Sequence, residues 1–398
     1  MAQKPKSNSE KTLFAQNLLQ LARETEEQHL RLLQQFVEIE SPSHDRAAVN
    51  RCVEAVAEQA SQQGARVKRH RNPTYGDLLE LRFASRRSGP PLLLLGHLDT
   101  VWPMGTLRQM PYKVVQEKDG ERICGPGIYD MKAGVSMALT ALSMLDQIGK
   151  LNRPVTLFLV SEEEIGSLAS RPMTEKLAQE SAAVFVLEPS QGPLGAYKTA
   201  RKGVGDYTLG VHGIAAHSGV DFTSGHSAIH ELAYQIGQVT ALTELERGIT
   251  LNVGTVRGGS ARNVVAAEAK AEIDVRISRA ADAARVERRL KKLNPRDSVC
   301  VLSLEGGINR PPMERSPKGV AMFRKAQTWA ASMGFTLEEA LSGGGSDGNF
   351  TAALGVPTLD GMGAVGQGAH ALHESIYRKD LSPRTALLAA MITSVERG

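Results

Sequence analysis

The sequence lacks several features that would assign it to a specialised class of protein. Its three cysteines, Cys52, Cys124 and Cys300, are widely spaced and form no CxxC pair. They therefore predict neither a disulfide framework nor a cysteine metal site, and they favour a reducing compartment. The longest apolar stretches, such as 92–95, are far too short to span a membrane. Residues 1–21 lack the apolar core and cleavage site of a secretory signal, so we expect a cytoplasmic location.

An excess of one charge is also missing. The 47 Lys and Arg residues are nearly balanced by 43 Asp and Glu residues, and the formal net charge is +4. This balance gives no reason to expect nucleic acid or an anionic membrane as a partner. What is present is typical of globular proteins, with 41% hydrophobic and 23% charged residues in a chain of 398. A chain of this length predicts two or three domains.

Short apolar runs alternate with helical patterns in the first half of the chain. The runs 79–83, 91–95, 155–160 and 183–187 are typical of strands buried on both faces, and a helix is predicted near 131–148. This alternation predicts an α/β fold with a central, mostly parallel sheet flanked by helices.

The pattern changes after about residue 203. Residues 267–278 alternate between apolar and charged side chains, as expected for a sheet with one solvated face. The order strand-helix-strand-strand-helix-strand predicts a small ferredoxin-like α+β domain. We therefore predict one domain formed by 1–202 and 313–398, interrupted by an inserted domain at 203–312.

Polar residues follow three of the predicted buried strands. His97 and Asp99 follow the run 91–95, and their spacing places a carboxylate where it can orient a metal-binding imidazole. A purely structural histidine–aspartate pair is the alternative interpretation. The acidic run 162–164 follows another strand, with a solvated acidic turn as its alternative, and Glu188 follows a third.

Two glycine-rich loops add further candidates. The segment 125–134 presents Asp130 just before a helix, where a helix cap is the alternative role, and 366–370 offers His370. Ligands bind at the strand ends of open α/β sheets. Histidines and carboxylates without cysteine suit Zn²⁺, Mn²⁺ or Co²⁺. Five ligands exceed the need of one tetrahedral ion, whereas two ions sharing a bridging carboxylate would use them all.

The segments GHLDTV, GPGIYDMKAG, EEIGS, LEPS and GAHALHES, in this order, resemble the co-catalytic two-metal family of exopeptidases and amidohydrolases. That family includes glutamate carboxypeptidases of the carboxypeptidase G type, aminoacylase, acetylornithine deacetylase and succinyl-diaminopimelate desuccinylase. The resemblance covers about 39–388. It implies two divalent ions per chain, expected to be zinc with manganese or cobalt as alternatives. The ligands that it implies are His97, Asp130 as the bridging carboxylate, Glu164, Glu188 and His370.

The same resemblance assigns the catalytic groups. It makes Asp99 the orienting partner of His97 and Glu163 the general base for a hydroxide that bridges the two ions. His373 is the alternative to His370 as a ligand. The family pattern, a histidine followed four positions later by glutamate, favours His370 because Glu374 satisfies it.

The inserted domain resembles the lid and dimerisation domain of the family, which implies a homodimer. GIAAHSG makes His217 the residue that polarises the scissile carbonyl, with an ordinary loop histidine as the alternative. Asn263 and Arg276 match residues that hold polar groups of the substrate, although Arg276 could instead be a surface ion-pair partner. The turn GGGSD, with Gly344 and Ser346, matches the turn that lines the substrate-carboxylate side of the pocket.

The expected activity is therefore hydrolysis of the amide bond of a C-terminal amino acid in a small peptide, as in glutamate carboxypeptidases. An N-acyl amino acid amidohydrolase or deacetylase and a dipeptidase are the alternatives that would use the same site. A non-catalytic protein that binds carboxylates is the alternative from a different class.

Overall fold

A computed structural model describes residues 8–85, 88–118 and 120–395, so 1–7, 86–87, 119 and 396–398 of the predicted first domain lie outside the described residues. The α-helices of the described residues are, in chain order, α1 (Asn8–Glu24), α2 (Glu26–Val37), α3 (Arg46–Gln62), α4 (Ala133–Gln147), α5 (Arg171–Gln179), α6 (Ala228–Thr240), α7 (Ala280–Leu290), α8 (Pro317–Ser332), α9 (Gly348–Ala353) and α10 (Arg378–Ser394). None of these helices combines the length and the hydropathy needed to cross a lipid bilayer.

The predicted apolar runs all form strands. The strands of the described residues are β1 (Arg66–His70), β2 (Leu78–Phe83), β3 (Leu92–His97), β4 (Lys113–Glu117), β5 (Gly120–Cys124), β6 (Val155–Val160), β7 (Ala183–Val186), β8 (Tyr197–Arg201), β9 (Gly203–His212), β10 (Thr250–Gly258), β11 (Glu268–Ile277), β12 (Val301–Arg310), β13 (Glu339–Ser342), β14 (Thr358–Leu359), β15 (Gly366–Gln367) and β16 (Ser375–Tyr377).

The chain divides into two compact units. The larger unit runs to Ala200 and also contains Arg315–Ser342 and the chain from Ser346 onwards, while the smaller unit contains Arg201–Glu314 and Gly343–Gly345. The predicted boundaries at 203 and 312 left 343–345 in the larger domain. The structure groups this turn with the smaller unit, where Arg201 Nη1 donates to the backbone oxygens of Gly344 and Gly345, at 3.2 and 3.0 Å.

The central sheet of the larger unit has the strand order β1-β2-β6-β3-β7-β14. Strand β3 is parallel to both β6 and β7, and β14 is parallel to β7, whereas β1 and β2 are antiparallel to their neighbours. This mixed sheet with flanking helices confirms the predicted α/β fold. All residues of β3, β6 and β7 are buried. Because these three strands are parallel, their carboxyl ends lie at one edge of the sheet.

Helix α4 packs against this edge with an unusually close approach. Nearly all of its residues are buried, as expected for a helix that is apolar on every side. At its first turn, a Cβ added to Gly134 would lie 2.1 Å from the backbone oxygen of Leu187, so only glycine permits the contact. This contact brings the loop that precedes α4 beside the end of β7.

Two smaller sheets of the larger unit were not predicted. One pairs β13 with β8, and the other has the order β15-β16-β5-β4. Their strands are short, and the residues of β4 are exposed or half-buried. These strands therefore lack the apolar runs that revealed the central sheet. The second of these sheets holds the segment that follows His370.

The smaller unit contains an antiparallel sheet with the order β10-β11-β9-β12. The predicted alternation in β11 is present, because Ala271, Ile273 and Val275 are buried while the charged residues between them are more exposed. These apolar side chains form one cluster with Leu232 of α6 and Val286 of α7. The smaller unit therefore has its own hydrophobic core.

Candidate metal centre

His97 ends strand β3 and is almost fully buried, with 1% of its surface exposed. Its Nδ1 lies 2.9 Å from the backbone oxygen of Asp99 and 3.5 Å from the Oδ1 of the same residue. Asp99 was predicted to orient His97 through its carboxylate, but the shorter contact comes from its backbone. Strand β3 ends at His97, so the two side chains do not follow the simple alternation of a strand. The imidazole Nε2 is directed towards Asp130 and Glu188.

The acidic run follows β6 and forms a 3₁₀ turn over Glu163–Ile165. The Asp99 carboxylate accepts the backbone N–H of Glu163 at 3.1 Å and that of Glu164 at 3.2 Å. It also accepts the Ser43 hydroxyl at 2.7 Å. Asp99 therefore holds the turn of both glutamates through its carboxylate and contacts the His97 ring through its backbone oxygen.

Asp130 lies in the loop before α4, where Gly127 adopts the left-handed φ of 69°. The Oδ1 atom of Asp130 is 3.1 Å from His97 Nε2, and its Oδ2 atom is 3.5 Å from His370 Nε2. One oxygen of this carboxylate thus faces each histidine. Glu188, just beyond β7, places its Oε1 atom 3.7 Å from His97 Nε2.

His370 occupies a glycine-rich loop and has a left-handed φ of 62°. Its Nε2 atom lies 3.2 Å from Glu164 Oε2, in addition to its approach to Asp130. The alternative ligand, His373, is exposed like His370, but its ring lies beside Gly368. The geometry therefore favours His370 over His373.

The predicted ligand atoms converge on a small volume. In His97, Asp130 and Glu164, one potential ligand atom from each residue lies within 4.8 Å of the others, and the same holds for His97, Glu163 and Glu188. One Glu164 oxygen, Oε1, is buried without a hydrogen-bond partner in the described residues. A buried carboxylate oxygen of this kind is costly unless a cation or a donor satisfies it.

The electrostatics of the cluster favour positive charge. Burial alone would raise the pKa of Asp130, but His370 and His97 hold that pKa well below its usual range. Hydrogen bonds to Asp130 and Glu164 raise the pKa of His370 to about 10. Burial raises the pKa of Glu164, although the contact with His370 opposes this. The carboxylates thus create a site that attracts a cation.

Two predicted substrate residues lie together in the smaller unit. The backbone N–H of Ser218 donates to the backbone oxygen of Asn263 at 3.0 Å, and His217 forms a β-bridge with Val264. The exposed His217 ring accepts the N–H of Gly219 at Nδ1, at a distance of 3.2 Å. Because Nδ1 is an acceptor, the neutral ring carries its proton on Nε2, which can donate a hydrogen bond to another group.

Arg276 is engaged by a carboxylate of its own strand. Its Nη2 atom is 2.7 Å from Asp274 Oδ2, and its Nε atom is 2.9 Å from Asp274 Oδ1. The ion-pair alternative for Arg276 is therefore present in the structure. A substrate carboxylate would have to compete with Asp274 for this guanidinium.

The GGGSD turn differs from its predicted role at one position. Ser346 is fully buried, and its hydroxyl donates to Asp360 Oδ2 at 2.6 Å while accepting the Gly348 N–H at 3.1 Å. These internal hydrogen bonds leave the Ser346 side chain facing the protein interior and not a substrate. Gly344 accepts Arg201 through its backbone oxygen, as described above.

Comparison with known proteins assigns the family. A model of the peptidase family M20/M25/M40 matches residues 93–394. The chain belongs to this family. This confirms the predicted resemblance. Because the family is one of peptidases, the M20 chain is a hydrolase. It is 26% identical over 384 residues to carboxypeptidase G2 of Pseudomonas sp. (strain RS-16), a match that covers 94% of this chain and 91% of that protein.

Solved structures of M20 peptidases share the fold. Aminopeptidase PepT from Bacillus cereus ATCC 10987 gives a TM-score of 0.77 at 20% identity, covering 93% of this chain and 98% of that one. The Bacillus subtilis YXEP protein, a dinuclear metal binding peptidase from the M20 family, gives a TM-score of 0.67 at 14% identity, with coverages of 93% and 98%. The α/β architecture of this M20 chain is therefore that of its family.

Two residues of the M20 site had no predicted role. Ser43, which binds the Asp99 carboxylate, follows a proline in a segment without a recognisable pattern. Glu374 served only as a spacing marker for His370, yet it is completely buried beside the Asp130 loop. The position of Glu374, four residues after His370, marked it in the sequence, but the sequence did not reveal its hydrogen-bond partners.

Proposed function

We propose that this chain is a metal-dependent exopeptidase that hydrolyses the amide bond of a C-terminal amino acid, with a preference for glutamate. The observation that carries the proposal is the convergence of His97, Asp130, Glu164, Glu188 and His370 around one small volume. The similarity to carboxypeptidase G2 over nearly the whole chain supports the choice of the C-terminal residue as the group released.

The residues fit a pair of divalent cations. Imidazole nitrogens and carboxylate oxygens form a donor set suited to zinc, and the unpartnered Oε1 of Glu164 is a ligand atom in need of a cation. We propose that His97 and Glu188 would hold one ion, that Glu164 and His370 would hold the other, and that the Asp130 carboxylate would be shared between them. The dinuclear site of the YXEP protein supports a count of two. Manganese and cobalt are the alternative metals.

The ions, when bound, would polarise the scissile carbonyl and lower the pKa of the attacking water. The Glu163 carboxylate then accepts a proton from that water and returns it to the departing nitrogen. Asp99 assists by accepting the backbone N–H of Glu163, so the Glu163 carboxylate does not have to be ordered during the reaction.

The smaller unit would supply groups that bind the substrate. We propose that His217 Nε2–H donates to the carbonyl oxygen of the scissile bond, where negative charge develops. Asn263 and Arg276 would hold the free carboxylate of the C-terminal residue, because a guanidinium can bind a carboxylate through two hydrogen bonds. We also propose that the chain forms a homodimer through its smaller unit.

A substrate panel tests the reaction. The purified protein is stripped with a chelator, reconstituted with Zn²⁺, Mn²⁺ or Co²⁺, and assayed on N-acyl-glutamates, dipeptides, N-acetyl amino acids and tripeptides. We expect metal-dependent release of C-terminal glutamate. Release of the N-terminal residue from tripeptides would instead indicate an aminopeptidase, like PepT. Preference for N-acetyl amino acids would indicate an amidohydrolase, and preference for dipeptides a dipeptidase.

A pair of adjacent variants separates the catalytic base from the ligands. Glu163→Gln should abolish turnover and leave about two ions per chain, whereas Glu164→Gln should lower the metal content. Residual activity of Glu163→Gln near that of the parent would contradict the proton-transfer role. Reconstituted parent protein that binds N-acyl-glutamate without hydrolysing any substrate would establish the non-catalytic alternative.

A further inference from the structure

Glu374 lies at the junction of three segments of the candidate metal centre. Its side chain is completely buried. The Oε1 atom accepts the backbone N–H groups of Tyr129 and Asp130 at 2.8 and 3.0 Å. The Oε2 atom accepts the backbone N–H of Gly127 at 2.9 Å and the indole Nε1–H of Trp102 at 2.8 Å. One carboxylate therefore satisfies four N–H donors.

These donors belong to the segments that carry the predicted ligands. Three are backbone groups of the loop that presents Asp130, including the N–H of Asp130 itself. Trp102 follows the segment of His97 and Asp99, and Glu374 lies four residues after His370. The contacts with the Asp130 loop span 244 to 247 residues of sequence. They fix the position of this loop relative to Glu374, which neighbouring residues in the chain cannot do.

The chemistry of the contacts makes Glu374 hard to replace. All four partners are donors, and hydrogen bonds to an ionised carboxylate are about twice as strong as neutral ones. The loop backbone cannot satisfy these N–H groups within helix α4, because they precede its first turn. Without Glu374, the loop would have buried donors without acceptors and could adopt other conformations.

We infer that Glu374 is a positioning residue that fixes the Asp130 carboxylate between His97 and His370 and thereby sets the affinity for divalent metal. The inference rests on the proposed function in one respect, since it requires the metal to bind at Asp130. Glu374 would contact neither metal nor substrate, so it is distinct from the proposed ligands and catalytic groups. Glu374 would act by holding the Asp130 backbone, while Trp102 connects the His97 segment to the same carboxylate.

The test is Glu374→Gln, which keeps the shape of the side chain but turns one acceptor oxygen into a donor. At fixed pH, we expect the dissociation constant for Zn²⁺ to rise by about 10–100-fold, measured by competition with a chromophoric chelator. Glu231→Gln is the matched control in the smaller unit. Glu231 is also buried and accepts the backbone N–H groups of Arg296 and Asp297, at 3.0 and 2.9 Å. Its substitution should lower stability without changing the affinity for Zn²⁺.

Tryptophan fluorescence gives an independent readout. The sequence has two tryptophans, so Trp329→Phe leaves Trp102 as the reporter. In this background, Glu374→Gln should shift the Trp102 emission in metal-free protein, because a neutral amide replaces the charged carboxylate beside the indole N–H. If Glu374→Gln does not fold, Trp102→Phe removes a single donor and should weaken Zn²⁺ binding by about fivefold.

The outcomes separate this inference from the proposed function. An affinity for Zn²⁺ that is unchanged in folded Glu374→Gln, or in Trp102→Phe where only that variant folds, would overturn the role of Glu374 alone. Weaker binding by the variant, combined with a parent that hydrolyses none of the panel, would support the role of Glu374 and overturn the proposed reaction. A parent that binds no divalent metal would overturn both.

Discussion

The backbone N–H of Glu163 donates to the Asp99 carboxylate, with 3.1 Å between the nitrogen and Oδ1. The residue predicted to orient a metal ligand thus also holds the residue predicted to move the proton. Asp99 is 1% exposed, and its carboxylate also accepts the N–H of Glu164 and the hydroxyl of Ser43. A single buried carboxylate therefore accepts two backbone N–H groups of the acidic turn and helps to fix its conformation.

This relationship predicts the effect of Asp99→Asn. The amide offers one oxygen acceptor in place of two, so at least one half-buried N–H of the acidic turn loses its partner. We expect kcat/KM to fall by about 10–100-fold and the free energy of unfolding to fall by about 1–3 kcal/mol. Steady-state kinetics and urea unfolding measure the two effects. Asp146→Asn, at an exposed position of α4, is the control. Activity of Asp99→Asn within twofold of the parent would show that the turn does not need this carboxylate.

The two neighbouring histidines should respond differently to truncation. Both rings are exposed, but His370 Nε2 contacts Glu164 and Asp130, whereas the His373 ring lies beside Gly368. We expect His370→Ala to bind about one ion per chain in place of about two, with loss of turnover, and His373→Ala to retain both ions. Metal analysis of dialysed protein measures the stoichiometry. The reverse pattern would make His373 the ligand.

The parts of the site that follow apolar strands could be predicted from the sequence. Strands β3, β6 and β7 are continuous buried runs, and their polar ends mark His97, the acidic turn and Glu188. These three strands of the central sheet are visible for the same reason, because burial on both faces favours apolar residues along the whole strand. Local sequence contains this information.

Contacts between distant segments could not be predicted in this way. Ser346 belongs to a glycine-rich turn, but its burial depends on the position of Asp360. The role of Glu374 depends on backbone N–H groups about 245 residues away, and backbone donors have no signature in a sequence. Likewise, Gly344 and Gly345 accept hydrogen bonds from Arg201, which lies 143 and 144 residues earlier in the chain.

Arg276 should distinguish substrates by their free carboxylate. If its guanidinium leaves Asp274 to bind the substrate, Arg276→Gln should raise KM for substrates with a free C-terminal carboxylate by about 10–100-fold. The same variant should have little effect on the corresponding C-terminal amides. The ratio of KM values for each acid and amide pair is the measurement, and Arg279→Gln, an exposed arginine of the same unit, is the control. Equal changes for acids and amides would assign Arg276 to the structural ion pair alone.

His29 should make the larger unit sensitive to mild acid. The ring is 3% exposed, its Nε2 atom lies 2.9 Å from Ser136 Oγ, and burial lowers its pKa from 6.5 to about 3. Between these two values the unfolded chain binds a proton that the folded chain does not. The free energy of unfolding therefore falls as the pH decreases below 6.5, by about 1.4 kcal/mol per pH unit from this residue.

His29→Gln removes this titration and keeps a polar group that can reach Ser136. Relative to the parent, the variant should gain about 2 kcal/mol of unfolding free energy between pH 7 and pH 5. Urea unfolding followed by tryptophan fluorescence is suitable, because Trp102 and Trp329 both lie in the larger unit. His230→Gln, at an exposed position of the smaller unit, should leave the pH dependence unchanged. Parallel stability profiles for His29→Gln and the parent would mean that the folded protein accommodates the protonated ring of His29.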